Sequence, residues 1–264
     1  MGDAVQPIED YPTNLVEFEA RFNSEGSCRQ YLEKLRWPNG FQCPRCKGNR
    51  AWATGRQGLW ECTVCHRQAS ATAGTIFEGT RKPLRLWFRV MWFVTSEKIG
   101  ISALGLQRQL GFKRYDTVWT WLHKLRRAMV RPGRDQLSGR VEVDETYVGG
   151  VEKGVHGRQT ESKSIVVIAA QEDGHGMGRI RLKRIPDVSG HTLLRFLKEA
   201  VVLGSTVHTD GWEGYGKVGS AGYTHEVSNI ARSDRLAHEL LPRVHRVAAL
   251  LKRWWLGTHQ GAIR

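Results

Sequence analysis

Between Val141 and Gly150 the chain reads Val-Glu-Val-Asp-Glu-Thr-Tyr-Val-Gly-Gly. Val141 and Val143 alternate with Glu142 and Asp144, the period of a strand with one buried face, and Gly149-Gly150 close it in a turn. A carboxylate in the middle of such a strand is costly unless a metal or another cation meets it. Ser205-Thr206-Val207-His208-Thr209-Asp210-Gly211 repeats the design, a short β-prone run ending in an Asp beside a Gly. Two carboxylates on neighbouring strand ends can share hard divalent cations, which take oxygen ligands. Asp144 and Asp210 are therefore the candidate active centre. Asp before Gly is also common turn chemistry, the competing role for Asp210.

A second chemistry stands nearer the N-terminus. Cys43-Pro44-Arg45-Cys46 and Cys62-Thr63-Val64-Cys65 are two C-x2-C knuckles with 15 residues between them. That spacing suits a closed four-thiolate zinc site, which stabilises a fold and leaves no open position for catalysis. The segments 50–53 and 59–62 between the knuckles are strand-like and predict a zinc ribbon. A redox dithiol is the competing chemistry. His66 is expected at the surface or behind the ligands, and Cys28 as a small buried hydrophobe.

The elements that must position these groups follow from periodicity. Leu15, Phe18 and Phe22, then Tyr31, Leu32 and Leu35, have helical spacing. Pro83 stands where a helix over 84–94 would begin. Ser102 could cap a helix over 103–110 that stops at Gly111, and Asp116 could cap a third, with Val118, Leu122, Leu125 and Met129 as its apolar stripe. Two helices joined by a Gly-containing turn, the second one basic, suggest helix-turn-helix DNA binding. Its contacts would come from Lys113, Arg114, Thr117, Thr120, Lys124 and Arg127. Arg131-Pro132-Gly133-Arg134 reads as a linker. Strands are expected at 164–170, 178–185 and 205–210, with a helix over 192–201, a polar loop over 152–161 and a final helix over 239–256 ended by Gly257. His245 and Lys252, seven apart, would share a face of that helix.

The chain of 264 residues carries a net charge of +14, and the charge is unevenly placed. Residues 1–80 balance at 9 Lys/Arg and 9 Asp/Glu, residues 81–137 hold 13 against 3, and residues 138–264 hold 18 against 14. A basic block in the middle suits a polyanion, nucleic acid ahead of a membrane surface. No apolar run is long enough to span a bilayer, and the N-terminus lacks a secretory pattern. A cytoplasmic, nucleoid-associated location is the expectation.

In this order the pieces resemble a prokaryotic insertion-sequence transposase of the ribonuclease H-like DDE superfamily, in the branch with an N-terminal zinc ribbon. The resemblance rests on the cysteine knuckles, Val143 to Gly150, Thr209-Asp210-Gly211-Trp212 with Tyr215, and His245 to Gly261. It implies an α+β multidomain chain: N-terminal helices and zinc ribbon over 1–80, a helix-turn-helix region and linker over 81–137, and a ribonuclease H-like mixed sheet with flanking helices over 138–264. It implies catalytic roles for Asp144 and Asp210, 66 residues apart, and for a third position 35 further on. Counting back from the family's helix lysine, Lys252, that position is His245, where the superfamily usually has Glu. Imidazole is softer than carboxylate and suits Mn2+ better than Mg2+; Glu239 or Asp234 could supply a carboxylate instead. Further implications are structural Zn2+, catalytic Mg2+ or Mn2+, double-stranded DNA partners (the element's terminal inverted repeats and target DNA) and a homo-oligomer on the DNA ends. Family members normally run on past Gly257-Thr258-His259-Gln260-Gly261, so C-terminal truncation is expected. The implied reaction is strand cleavage and strand transfer, against a catalytically inactive DNA-binding remnant or a non-transposing nuclease.

Overall fold

The computed structural model describes residues 11–130, 133–150, 160, 162–229 and 233–259. Arg131-Pro132 of the expected linker, the polar loop over 152–161 apart from Thr160, and Gln260-Gly261 lie outside the described residues. The chain forms two compact units, one of Met1–Ser96 with Ala103–Val130, the other of Glu97–Ser102 with Arg131–Arg264.

The first unit opens with α1 (Leu15–Arg21) and α2 (Glu25–Arg36). Asn14 caps α1 by accepting the Glu17 N–H at 2.9 Å, and Ser24 with Ser27 closes a capping box on α2. Three antiparallel strands follow, β1 (Ala51–Ala53), β2 (Leu59–Cys62) and β3 (Gln68–Ser70); β3 has no alternation to reveal it in the sequence. Then come α3 (Leu84–Ser96), α4 (Ala103–Leu110) and α5 (Tyr115–Met129). Aromatic rings fill the interior: Trp87 stacks on Trp121 with centroids 3.6 Å apart, and Phe22 meets Phe88 at 4.6 Å. Two expectations fail in α5. Asp116 is inside the first turn and Arg114 is the capping residue, with no side-chain bond. Met129 is exposed, while Trp121 completes the buried stripe of Val118, Leu122 and Leu125. Leu15 and Leu35 are likewise exposed, Phe18 and Phe22 buried.

The second unit is a five-stranded mixed sheet built from β4 (Arg140–Val148), β5 (Ser164–Asp173), β6 (Gly176–Ile185), β7 (Thr206–Thr209) and β8 (Thr224–Val227). Its order is β6-β5-β4-β7-β8. β4, β5 and β6 pair antiparallel, whereas β4 with β7 and β7 with β8 pair parallel. The parallel step needs a crossover, supplied by α6 (Gly190–Ala200), which Ser189 caps through the Thr192 N–H. Val141, Val143, Val167, Ala169 and Val207 pack with Leu193, Phe196 and Leu197 of α6. The opposite face, through Ile168 and Ala170, receives Leu241, Val244 and Val247. β4 is thus covered on both sides, not one, and each buried Val, Leu, Ile or Phe contributes about 1.5–3 kcal/mol by leaving water.

The expected final helix is two: α7 (Ala237–Leu240) and α8 (Pro242–His259). Pro242 divides them because it has no N–H to continue a helix but suits a first helical position. Gly257 does not end α8. It allows close approach: a Cβ there would lie 1.9 Å from the Ile99 carbonyl oxygen.

Candidate active site and metal centre

The parallel pairing of β4 with β7 puts Val141 beside Val207 and Glu142 beside His208. Asp144 lies two residues past Glu142 on β4, and Asp210 two residues past His208. Asp144 therefore stands in the middle of β4, and Asp210 directly follows the carboxyl end of the neighbouring β7 at Thr209. Gly211, at φ 85°, turns the chain after β7, and Asp210 Oδ1 accepts the Trp212 N–H at 2.9 Å. Asp210 thus makes the expected turn contact. Asp144 Oδ1 accepts the Glu145 N–H at 2.8 Å.

His245, in the first turn of α8, reaches the same place. Its Nε2 is 3.7 Å from Asp144 Oδ2, is buried, and makes no hydrogen bond among the described residues. Burial pushes the His245 pKa down; His238 and Lys252 add to that, against Glu142 and Asp210. A neutral imidazole whose nitrogen meets a carboxylate and no hydrogen-bond donor is fit to bind a cation. Lys252 lies two turns on and is exposed. Glu239 is occupied in α7, where it accepts the Leu236 N–H at 3.3 Å and pairs with Arg235; Asp234 is exposed.

Glu142, Glu145 and Tyr215 have no role that local sequence pattern assigns, yet each is placed at this centre. Glu142 and Glu145 are only 2% and 8% exposed. The fully buried Tyr215 donates its hydroxyl to Glu145 at 3.2 Å. Burial, with the charges of Glu145, Asp144 and Asp210, holds that phenol well above its usual range, so it remains a donor. The pairing joins residues 70 apart, which local pattern cannot reveal.

The four cysteines form a tighter set. Cys43, Cys46, Cys62 and Cys65 place their sulfurs within 4.8 Å of one another, and among the described residues no other group of three or more potential ligands does so. The Cys43–Cys65 and Cys46–Cys62 separations are 3.6 and 3.5 Å, close to the ~3.8 Å edge of a tetrahedron with Zn–S bonds of about 2.3 Å. Lys47 and His66, each just past a knuckle, take positive φ. The Cys46 N–H helps hold the Cys43 thiol down, to about 6, while the crowding of Cys65, Cys62 and Cys43 pushes Cys46 up, to about 12, so without a cation the set does not hold four thiolates together. His66 is exposed and faces Glu61. Cys28 is fully buried, its thiol pushed up to about 11 by desolvation.

On α5, Thr120, Lys124 and Arg127 are exposed and Thr117 half-buried; Lys113 and Arg114 precede the helix. Lys124 and Arg127 line an open groove of about 800 Å³ with Gly74, Thr75, Ile76 and Glu78. Trp119 of the same helix is exposed, and its ring centroid lies 3.9 Å from that of His123.

Residues 136–263 match the family described as the ISXO2-like transposase domain, and residues 23–68 match the transposase zinc-ribbon domain of the same IS1595 group. The chain belongs to the IS1595 transposase family. It is also 26% identical over 258 residues to an uncharacterised protein in transposable element ISH50 of Halobacterium salinarum, covering 91% of this chain and 86% of that one. As an IS1595-type transposase it carries a ribbon fit for structural zinc and has DNA as its partner. Among the described residues no helix is long and apolar enough to cross a membrane.

Proposed function

We propose that the chain catalyses metal-dependent strand cleavage and strand transfer at the ends of its insertion sequence, with Asp144, Asp210 and His245 as the reacting centre and Lys252 as a phosphate partner. The observation carrying this reading is the parallel pairing of Glu142 with His208, which Asp144 and Asp210 each follow by two residues, with the His245 nitrogen 3.7 Å from Asp144. Strand order and direction, with helices on both faces, support a ribonuclease H-like fold. Divalent ions bound there, Mg2+ or Mn2+, would activate a water or 3′-hydroxyl and stabilise the leaving oxygen. The chain's own residues supply the rest. Asp144 and Asp210 present oxygen ligands, His245 adds a neutral nitrogen without adding charge, and Lys252 offsets phosphate charge.

The α4–Gly111–α5 unit is read as a helix-turn-helix that binds terminal inverted repeats, through Lys113, Arg114, Thr117, Thr120, Lys124 and Arg127, within a three-part organisation of ribbon, helical region and catalytic domain. A homo-oligomer on paired ends, capture of target DNA and nucleoid association belong to the same proposal. The imidazole at the usual carboxylate position favours a second reading, a DNA-binding remnant without catalysis. Nicking of supercoiled plasmid with Mg2+ or Mn2+ separates the two. The native chain is expected to nick, and Asp144→Asn or Asp210→Asn to lose nicking while retaining DNA binding. A native chain that binds but never nicks would establish the remnant.

A further inference from the structure

We propose that Glu142 is a positioning residue: its carboxylate clamps the first turn of α8 to β4 and so sets the His245 imidazole against Asp144. The inference rests on the reading of Asp144, Asp210 and His245 as a cation site and extends it to a residue outside that set.

The start of α8 lacks a cap of its own. Pro242 has no N–H, and Leu241 before it has no side-chain acceptor, so the Arg243 and Val244 amides would be orphaned. Glu142 Oε2 accepts both, at 2.7 and 3.1 Å. Glu142 Oε1 accepts Arg243 Nη1 at 2.8 Å. Arg243 is held in turn by Glu172 Oε1 at 2.8 Å and by the Gly174 and Gly176 carbonyls. One carboxylate thus meets two helix amides and a guanidinium at the positive end of a helix, where charge-assisted bonds are short and directional.

The spacing ties this clamp to the centre. Glu142 and Asp144 are two apart on one strand, so they share a face, about 6.6 Å apart along it. On α8, His245 directly follows the clamped Arg243-Val244 pair. Locking 243–244 onto Glu142 leaves 245 opposite Asp144. A slip of α8 would carry His245 away from the carboxylates while leaving the aliphatic packing of Val244 and Val247 able to reform.

The test uses the full chain with labelled histidines and Mn2+ alone as the probe, following the His245 ring signal, assigned with His245→Gln. Glu142→Gln keeps side-chain volume but loses the charge. In it the His245 ring shift is expected to move away from its native position. The Mn2+ concentration that broadens the signal should rise about 10- to 100-fold, the range for loss of a group that orients a ligand. Arg243→Lys, which keeps both backbone bonds to Glu142, should give a smaller change of the same sign and carries the test if Glu142→Gln does not fold. A His245 shift and Mn2+ midpoint unchanged in a folded variant would overturn the clamp. A native His245 signal that Mn2+ leaves sharp would overturn the metal reading instead, and the ring shift would still decide the clamp.

Discussion

Glu142, Asp144 and Glu145 lie within four residues of one strand and meet three different partners. Glu142 is turned to helix amides and Arg243, Asp144 to His245, and Glu145 to the Tyr215 hydroxyl on the opposite face. Alternation predicted the strand and singled out Asp144, but it could not separate a structural acid from a reacting one. That distinction rests on Arg243 and Tyr215, which lie 101 and 70 residues away. The cysteines were legible because all four ligands fall within 23 residues at fixed spacing, so chemistry and sequence distance coincide. At this scale the zinc assignment makes a plain prediction. The native chain should carry about one zinc, and Cys46→Ser should lose it, because a structural site needs all four ligands. Elemental analysis checks the stoichiometry; a zinc content unchanged by the substitution would place the metal elsewhere.

Both long-range caps join elements that no local pattern connects. Glu25 of α2 accepts the Leu84 and Arg85 N–H groups at 2.9 Å each, as Glu142 does for α8. α3 follows Pro83 and α8 begins on Pro242, so each start has a proline where an N–H would be, and the acceptor for the next amides comes from another element. Sequence reading placed α3 and α6 nearly correctly, since Pro83 and the apolar spacing mark them. It merged α7 with α8, and it ended α8 at Gly257 because glycine usually marks a C-terminus, whereas here the missing side chain admits the Ile99 carbonyl. β3 and β8, at three and four residues, are too short to show a period. Glu25→Ala should destabilise the first unit by about 0.5–2 kcal/mol, the cost of a lost cap. Urea unfolding followed by tryptophan fluorescence measures it, and an unchanged midpoint would remove the cap from the account.

Across the whole molecule, most of the surplus of basic residues lies in 81–137, whereas the acidic groups of the candidate centre lie in the sheet. The sheet also holds histidines that resist protonation. Burial pushes His225 and His208 below the usual imidazole range; for His208, Arg140 adds to that, against nearby glutamates. The unfolded chain then takes up more protons as pH falls through ~6.5. The stability these groups supply is complete above that value and is lost as pH drops towards their lower folded values. The melting temperature of the second unit should therefore fall between pH 7.5 and 5.5, and His225→Gln should flatten the fall; an equal slope in the variant would exclude His225 as a contributor. The most direct test of the central claim is an anomalous-scattering map from crystals of the native chain soaked in Mn2+, with the zinc at Cys43, Cys46, Cys62 and Cys65 as internal standard. A second peak is expected within ligand distance of Asp144, Asp210 and His245. A strong zinc peak with none beside those three residues would contradict that claim.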